Sequence, residues 1–159
     1  MKRLHQVLLI LVLFLILSVF IIVKEARQAN KEVTFLYCLD GDSAVFDLNG
    51  EEVEVRFLGI NCPEKTEAYG VKATDFSKEI LSNAQEIELV EDKGAGTKDK
   101  YDRYLFWVYA DGELLQVKLL ENGLAKIEFI EDDYQNLAQL RKAEETAKEN
   151  KLGIWSYEN

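Results

Sequence analysis

The chain has 159 residues, 48% of them apolar, which suffices for one globular domain with its own core and not for two. Acidic residues outnumber basic ones 29 to 19; residues 1–31 hold five of the basic residues and one acid, so residues 32–159 carry 14 basic and 28 acidic side chains, a net charge of −14. Such a body repels polyanions at long range, and because the one histidine, His5, precedes it, imidazole-based catalysis and a Ser–His pair are excluded there.

The first predicted element is Val7 to Val23, seventeen residues without a charge, preceded by Lys2 and Arg3 and followed by the polar stretch Lys24 to Lys31. As a helix it would span roughly 25 Å, just enough to cross a hydrocarbon core if flanking basic side chains snorkel. Cleavage after Ala26 or Ala29 would put Lys24 or Arg27 where a signal peptidase wants a small residue, so an uncleaved anchor is expected, with secretion after cleavage as the alternative. Residues 1–31 are thus read as signal-anchor and linker, and 32–159 as a domain on the extracytoplasmic face.

Residues 33–40 and 42–48 have strand composition, and Asn49-Gly50 followed by alternating Val53, Val55 and Phe57 predicts a hairpin and a third strand. Glu67 to Leu81 carries apolar residues at helical spacing, with Thr66 as N-cap. Residues 86–90 and 104–110 supply two more strands around a polar loop. Leu114 to Asn122 reads as a short helix closed by Gly123, and 134–150 as a longer one, before Ile154-Trp155 packs back on the body. Five strands with a helix after the third predict a mainly β, α+β fold: a five-stranded OB-type barrel with about three helices, preceded by the transmembrane helix. Cys38 and Cys62 are consistent with one disulfide or, the favoured reading, with two free thiols, and no zinc-ligand spacing is present.

Chemistry without imidazole must rest on carboxylates, guanidinium groups or a hard cation held by oxygen. Asp40-Gly41-Asp42 and Asn61-Cys62-Pro63-Glu64 each follow a predicted strand and could share one end of the sheet; read on their own, both are also ordinary turn sequences. Arg56 could pair with Glu54 or Asp47, and Arg103 could belong to a charged loop.

Asp40-Gly41-Asp42-Ser43, then Arg56 on a strand leading into Pro63-Glu64, resembles the pattern of the thermonuclease (staphylococcal-nuclease-like) family. Lys100-Tyr101-Asp102-Arg103, Asn122-Gly123-Leu124-Ala125 and Gly153-Ile154-Trp155 resemble its later landmarks, so the likeness covers essentially all of 33–157. A monomer is expected; the resemblance implies a phosphodiesterase that hydrolyses DNA, and RNA as a second candidate substrate, with little sequence preference. It also implies a Ca2+ site of Asp42, the Asn61 side chain and the Cys62 carbonyl, Arg56 and Arg103 on phosphate oxygens, and Glu64 as general base.

This sequence departs from the family pattern in places. Asn61 stands where a second aspartate is common, which keeps an oxygen and removes a charge, and Asp102 stands where a glycine often precedes the second arginine. Phe129, Glu131 and Asp132 replace tyrosines and a lysine near the substrate. Lys100, with Lys93 and Lys98, is a candidate to contact phosphate, with a solvated, mobile loop as the equal alternative; Tyr101 and Phe129 are candidates to stack a base, although core packing is the favoured role for Phe129. The alternative reading is a non-catalytic nucleic-acid- or protein-binding module on the same fold.

Overall fold

The computed structural model describes residues 33–130 and 133–157, together with Val12, Leu15 and Ser18, which are helical. The anchor expected over 7–23 falls, apart from those three residues, outside the described residues. Among these no helix is long and apolar enough to cross a membrane. Residues 1–32 and 33–159 form separate compact units, and the second carries everything that follows.

Five principal strands are present: β1 (Val33–Cys38), β2 (Ser43–Leu48), β3 (Glu51–Phe57), β5 (Ile87–Val90) and β6 (Tyr104–Ala110). Three two-residue strands, β4 (Ile60–Asn61), β7 (Glu113–Leu114) and β8 (Lys126–Ile127), were not anticipated from composition. The sheet runs β1-β2-β3-β6-β5, antiparallel except for the parallel β3–β6 pair, and its end strands β1 and β5 touch without pairing, giving a curled, incompletely closed barrel. The predicted hairpin turn is there: Asn49 and Gly50 have φ of 58° and 89°, and Asp47 Oδ1 accepts the Gly50 N–H at 2.6 Å.

The helices are α1 (Gly70–Asn83), α2 (Leu115–Glu121) and α3 (Leu137–Glu149), followed by a 3-10 turn, Gly153–Tyr157. Helix α1 starts later than its apolar periodicity suggested. Thr66 does not cap it; Tyr69 stands at the cap position in the left-handed region with no side-chain capping hydrogen bond. Phe46, Val55, Phe57 and Trp107 from the sheet bury against Leu119, Leu120, Leu124 and Leu140 from the helical side. Two polar residues belong to this core. Gln116 donates to the Phe106 carbonyl at 3.0 Å and accepts the Val108 N–H at 3.2 Å. Asp92 accepts from Trp107 Nε1 at 2.7 Å, Gln135 N at 3.0 Å and Gly94 N at 2.8 Å. Buried polar groups need such partners, and here they pin the 91–103 loop and the approach to α3 onto the barrel.

Candidate active site

The turn between β1 and β2 is built to touch the turn after β4. A Cβ on Gly41 would lie 2.8 Å from the Cys62 Cβ and 2.7 Å from that of Ala73, so only glycine permits the approach. Ser77 on α1 donates to the Gly41 carbonyl at 2.6 Å, and Asp40 Oδ1 accepts the Asp42 N–H at 3.0 Å. Asp42, 4% exposed, thereby receives the Cys62 N–H on Oδ2 at 2.5 Å and the Ser43 hydroxyl on Oδ1 at 3.2 Å.

Arg56, near the end of β3 and 9% exposed, is the cation of this buried wall. Its Nη1 lies 3.1 Å from Asp42 Oδ1 and donates to the Phe57 carbonyl at 2.9 Å; Nη2 donates to the Ile60 carbonyl at 2.8 Å and to Asn61 Oδ1 at 3.0 Å. The pairing with Glu54 or Asp47 that sequence proximity allowed does not form. Burial pushes the Asp42 carboxyl up to about 6, with the Arg56 charge opposing that shift and Asp40 adding to it.

Arg103 reaches the site from the 91–103 loop through Asp99. Oδ2 of Asp99 accepts Arg103 Nε at 2.8 Å and pairs with Nη2 at 2.7 Å, while Oδ1 accepts the backbone N–H groups of Tyr101 at 2.8 Å and Arg103 at 3.1 Å. Arg103 Nη1 then donates to Ser43 Oγ at 3.4 Å, linking the two arginines through Ser43 and Asp42. Asp102, at φ 68°, explains why glycine suits that position: the backbone there is left-handed.

One cavity of about 270 Å³ is lined by Asp42, Arg56, Asn61, Cys62, Glu64 and Arg103, with Asp40, Pro63, Tyr101 and Phe129 completing it. Of the nine residues singled out from sequence, eight meet there. Lys100 does not line the cavity; its ammonium sits 4.9 Å from the centre of the Tyr101 ring. Phe129 is no core residue: it is 69% exposed at the cavity, as is Tyr101 at 68%. Both cysteines are free thiols. Asp40, Ser43 and Asp99 have no role that residue order alone assigns. Asp99 carried a usable signal, an acid four residues before an arginine.

The oxygen donors fit a hard cation in kind, since Asp42, Asn61 and the Cys62 backbone offer carboxylate, amide and carbonyl oxygens with no competing nitrogen or thiolate. No group of three or more His, Cys, Asp or Glu that could hold a metal occurs among the described residues. A cation here would therefore rest on one buried carboxylate, neutral oxygens and water.

Barrel, helix order and arginine-and-acid cavity together define the class. Residues 54–157 match the family model described as staphylococcal nuclease homologue, and the chain belongs to that family. It is 37% identical over 132 residues to the SPbeta prophage-derived endonuclease YokF of Bacillus subtilis, covering 79% of this chain and 44% of that protein. It is 37% identical over 131 residues to the endonuclease YncB of the same organism, covering 78% and 61%. With the thermonuclease of Staphylococcus hyicus it shares 32% identity over 142 residues, 84% of this chain and 82% of that one. The chain thus spans less than two thirds of the length of both Bacillus relatives.

Proposed function

We propose that this protein is a calcium-dependent nuclease, hydrolysing phosphodiester bonds of DNA, and of RNA as a second substrate, with little sequence preference. The observation that carries the reading is the shared cavity: two arginines, a buried aspartate and an exposed glutamate from four distant segments line about 270 Å³. Asp42, Asn61 Oδ1 and the Cys62 carbonyl would hold the calcium ion, which when bound supplies charge neutralisation and polarises a phosphate oxygen. Arg103, held by Asp99, offers its remaining N–H to a second phosphate oxygen. Arg56 turns toward phosphate once its bonds to Asp42 and Asn61 are released, because those are the same oxygens the cation requires.

Glu64 takes the proton from water as its oxygen bonds to phosphorus, and the opposite ester oxygen leaves and takes a proton from solvent. An exposed carboxylate at the cavity suits a general base, and the short-range bonds of Glu64 spare it: its backbone N–H donates to Glu67 Oε2 at 2.8 Å and its carbonyl accepts the Glu67 N–H at 2.8 Å. Release of acid-soluble nucleotides, measured with calcium and with chelator, tests this. Wild type should require calcium, and Glu64→Ala should be slower by on the order of 10² to 10⁴. Absence of calcium-dependent release from the wild type would leave the second reading, a non-catalytic binding module, which Asn61 in place of an acid and the net charge of −14 over residues 32–159 favour.

We further infer that residues 7–23 tether a monomeric body to the outer face of a membrane, as their uncharged composition suggests. Carbonate-resistant sedimentation with membranes, lost on deleting residues 1–31, checks it.

A further inference from the structure

A second and larger hollow, about 440 Å³, lies between β1 and α1. Its lining continues that of the catalytic cavity: Cys38 and Lys65 line one, Asp40 and Glu64, two and one residues away, line the other. In β1 the pairing with β2 shifts between Phe35 and Tyr37, and the irregularity leaves the consecutive residues Leu36 and Tyr37 both exposed, at 37% and 50%. Simple strand alternation would have put one of them inward; bulges beside active sites commonly re-aim side chains in this way. Both line the hollow, opposite Val71 and Lys78 of α1.

The charge of this hollow runs against that of the body. Lys65 and Lys78 form no ion pair among the described residues, and the one acid lining the hollow is Asp75. Both ammoniums bear on Cys38, whose thiol burial first, and Asp40 second, nonetheless push up to about 11, so it stays protonated and inert. Two unpaired cations beside an exposed aromatic ring, in a body of net −14, form a local exception that suits a polyanion with planar groups.

We infer that this hollow is a second station for a single nucleic-acid strand, receiving phosphates of nucleotides next to the scissile bond on Lys65 and Lys78 and stacking a base on Tyr37. A volume of about 440 Å³ falls in the roughly 300–1,000 Å³ range of small-ligand sites and admits an unstacked nucleotide rather than a duplex. The inference rests on the nuclease reading for the direction of the strand, and its test separates the two.

The full-length protein is compared with Lys78→Ser, Lys65→Ser/Lys78→Ser and Tyr37→Ser. Cleavage of a dinucleotide and of an oligomer of about twelve nucleotides is measured with calcium, and binding of that oligomer to a Glu64→Gln background is followed by fluorescence anisotropy across a salt series. The double lysine variant should lose about tenfold in kcat/KM on the oligomer, through KM, while the dinucleotide stays within about twofold. The slope of log K against log salt should flatten by about 1.4, the value for two phosphates on a single strand. Equal losses on both substrates, or none on either, overturn the inference. If the unmodified chain cleaves nothing, oligomer binding still decides: weakening in the lysine variants upholds the second station and defeats the nuclease reading, and indifference to them overturns it.

Discussion

The two sides of the candidate catalytic cavity are made in opposite ways. On the wall formed by Asp42, Arg56 and Cys62, each side-chain oxygen of Asp42 and each terminal nitrogen of Arg56 already has a protein partner, and the residues are nearly inaccessible to solvent. On the rim, Tyr101 and Phe129 are largely exposed, and Arg103 is directed chiefly by Asp99, with one long bond to Ser43 Oγ. The wall is preorganised and its parts also hold the fold; the rim, on the proposed reading, is where substrate would be met, and its exposed side chains contribute little to stability. Substitutions in the wall should therefore change activity and stability together, whereas those in the rim should change activity alone.

The largest effect is expected from Arg56→Gln. It leaves Asp42 buried without its cation, which costs about 3–5 kcal/mol of stability, and it removes a phosphate ligand worth on the order of 10² to 10³ in rate. Urea unfolding and a cleavage assay on the same sample check both; a loss of activity at unchanged stability would break the comparison.

Next comes a pH effect confined to the wall. Asp42 holds its proton to about 6 in the folded chain against an ordinary 3.8. Its contribution favours the folded state fully below pH 3.8 and is lost as pH rises through 6. In chelator, wild type should lose about 3 kcal/mol relative to Asp42→Asn between about pH 3.5 and 7. Denaturant melts at the two pH values measure this, and a relative gain by the wild type would mean that the Arg56 pair outweighs burial.

Asp99→Asn sharpens the rim side. It weakens the fork on Arg103 and should reduce kcat by about tenfold, while a double-mutant cycle with Arg103→Lys should show strong coupling. The smallest effects belong to Tyr101→Ala and Phe129→Ala, each raising KM by about fivefold, equivalent to about 1 kcal/mol, if a base stacks there, with unfolding midpoints unmoved.

The same division explains what could be read from the chain beforehand. The hairpin at Asn49-Gly50 and the five principal strands were legible because turn chemistry and period-2 alternation are local. The start of α1 was not, because Tyr69 in a left-handed cap leaves no polar capping residue to recognise. Two-residue strands such as β4 and β8 exist only through their pairing, Ile60 with Ile127 and Asn61 with Lys126, across a long stretch of chain. In the site, Asp42, Arg56, Glu64 and Arg103 were recognisable from residue order. The Asp99 fork had only the spacing of an acid four residues before an arginine to announce it, and the exposure of Phe129 was decided by loop conformation, which composition does not encode. Nor does residue order announce that Asp92, in the polar loop, accepts hydrogen bonds from Trp107 and Gln135.

Everything in the mechanism depends on oxygen atoms of the buried wall accepting a divalent ion despite Asn61 in place of an acid. Calorimetric titration of calcium at neutral pH into wild type, Asn61→Asp and Asp42→Asn addresses that directly. Asn61→Asp should bind about tenfold more tightly than wild type, near 1.4 kcal/mol, because it adds a charged ligand, and Asp42→Asn should bind far more weakly. Equal heats for all three proteins would contradict the account.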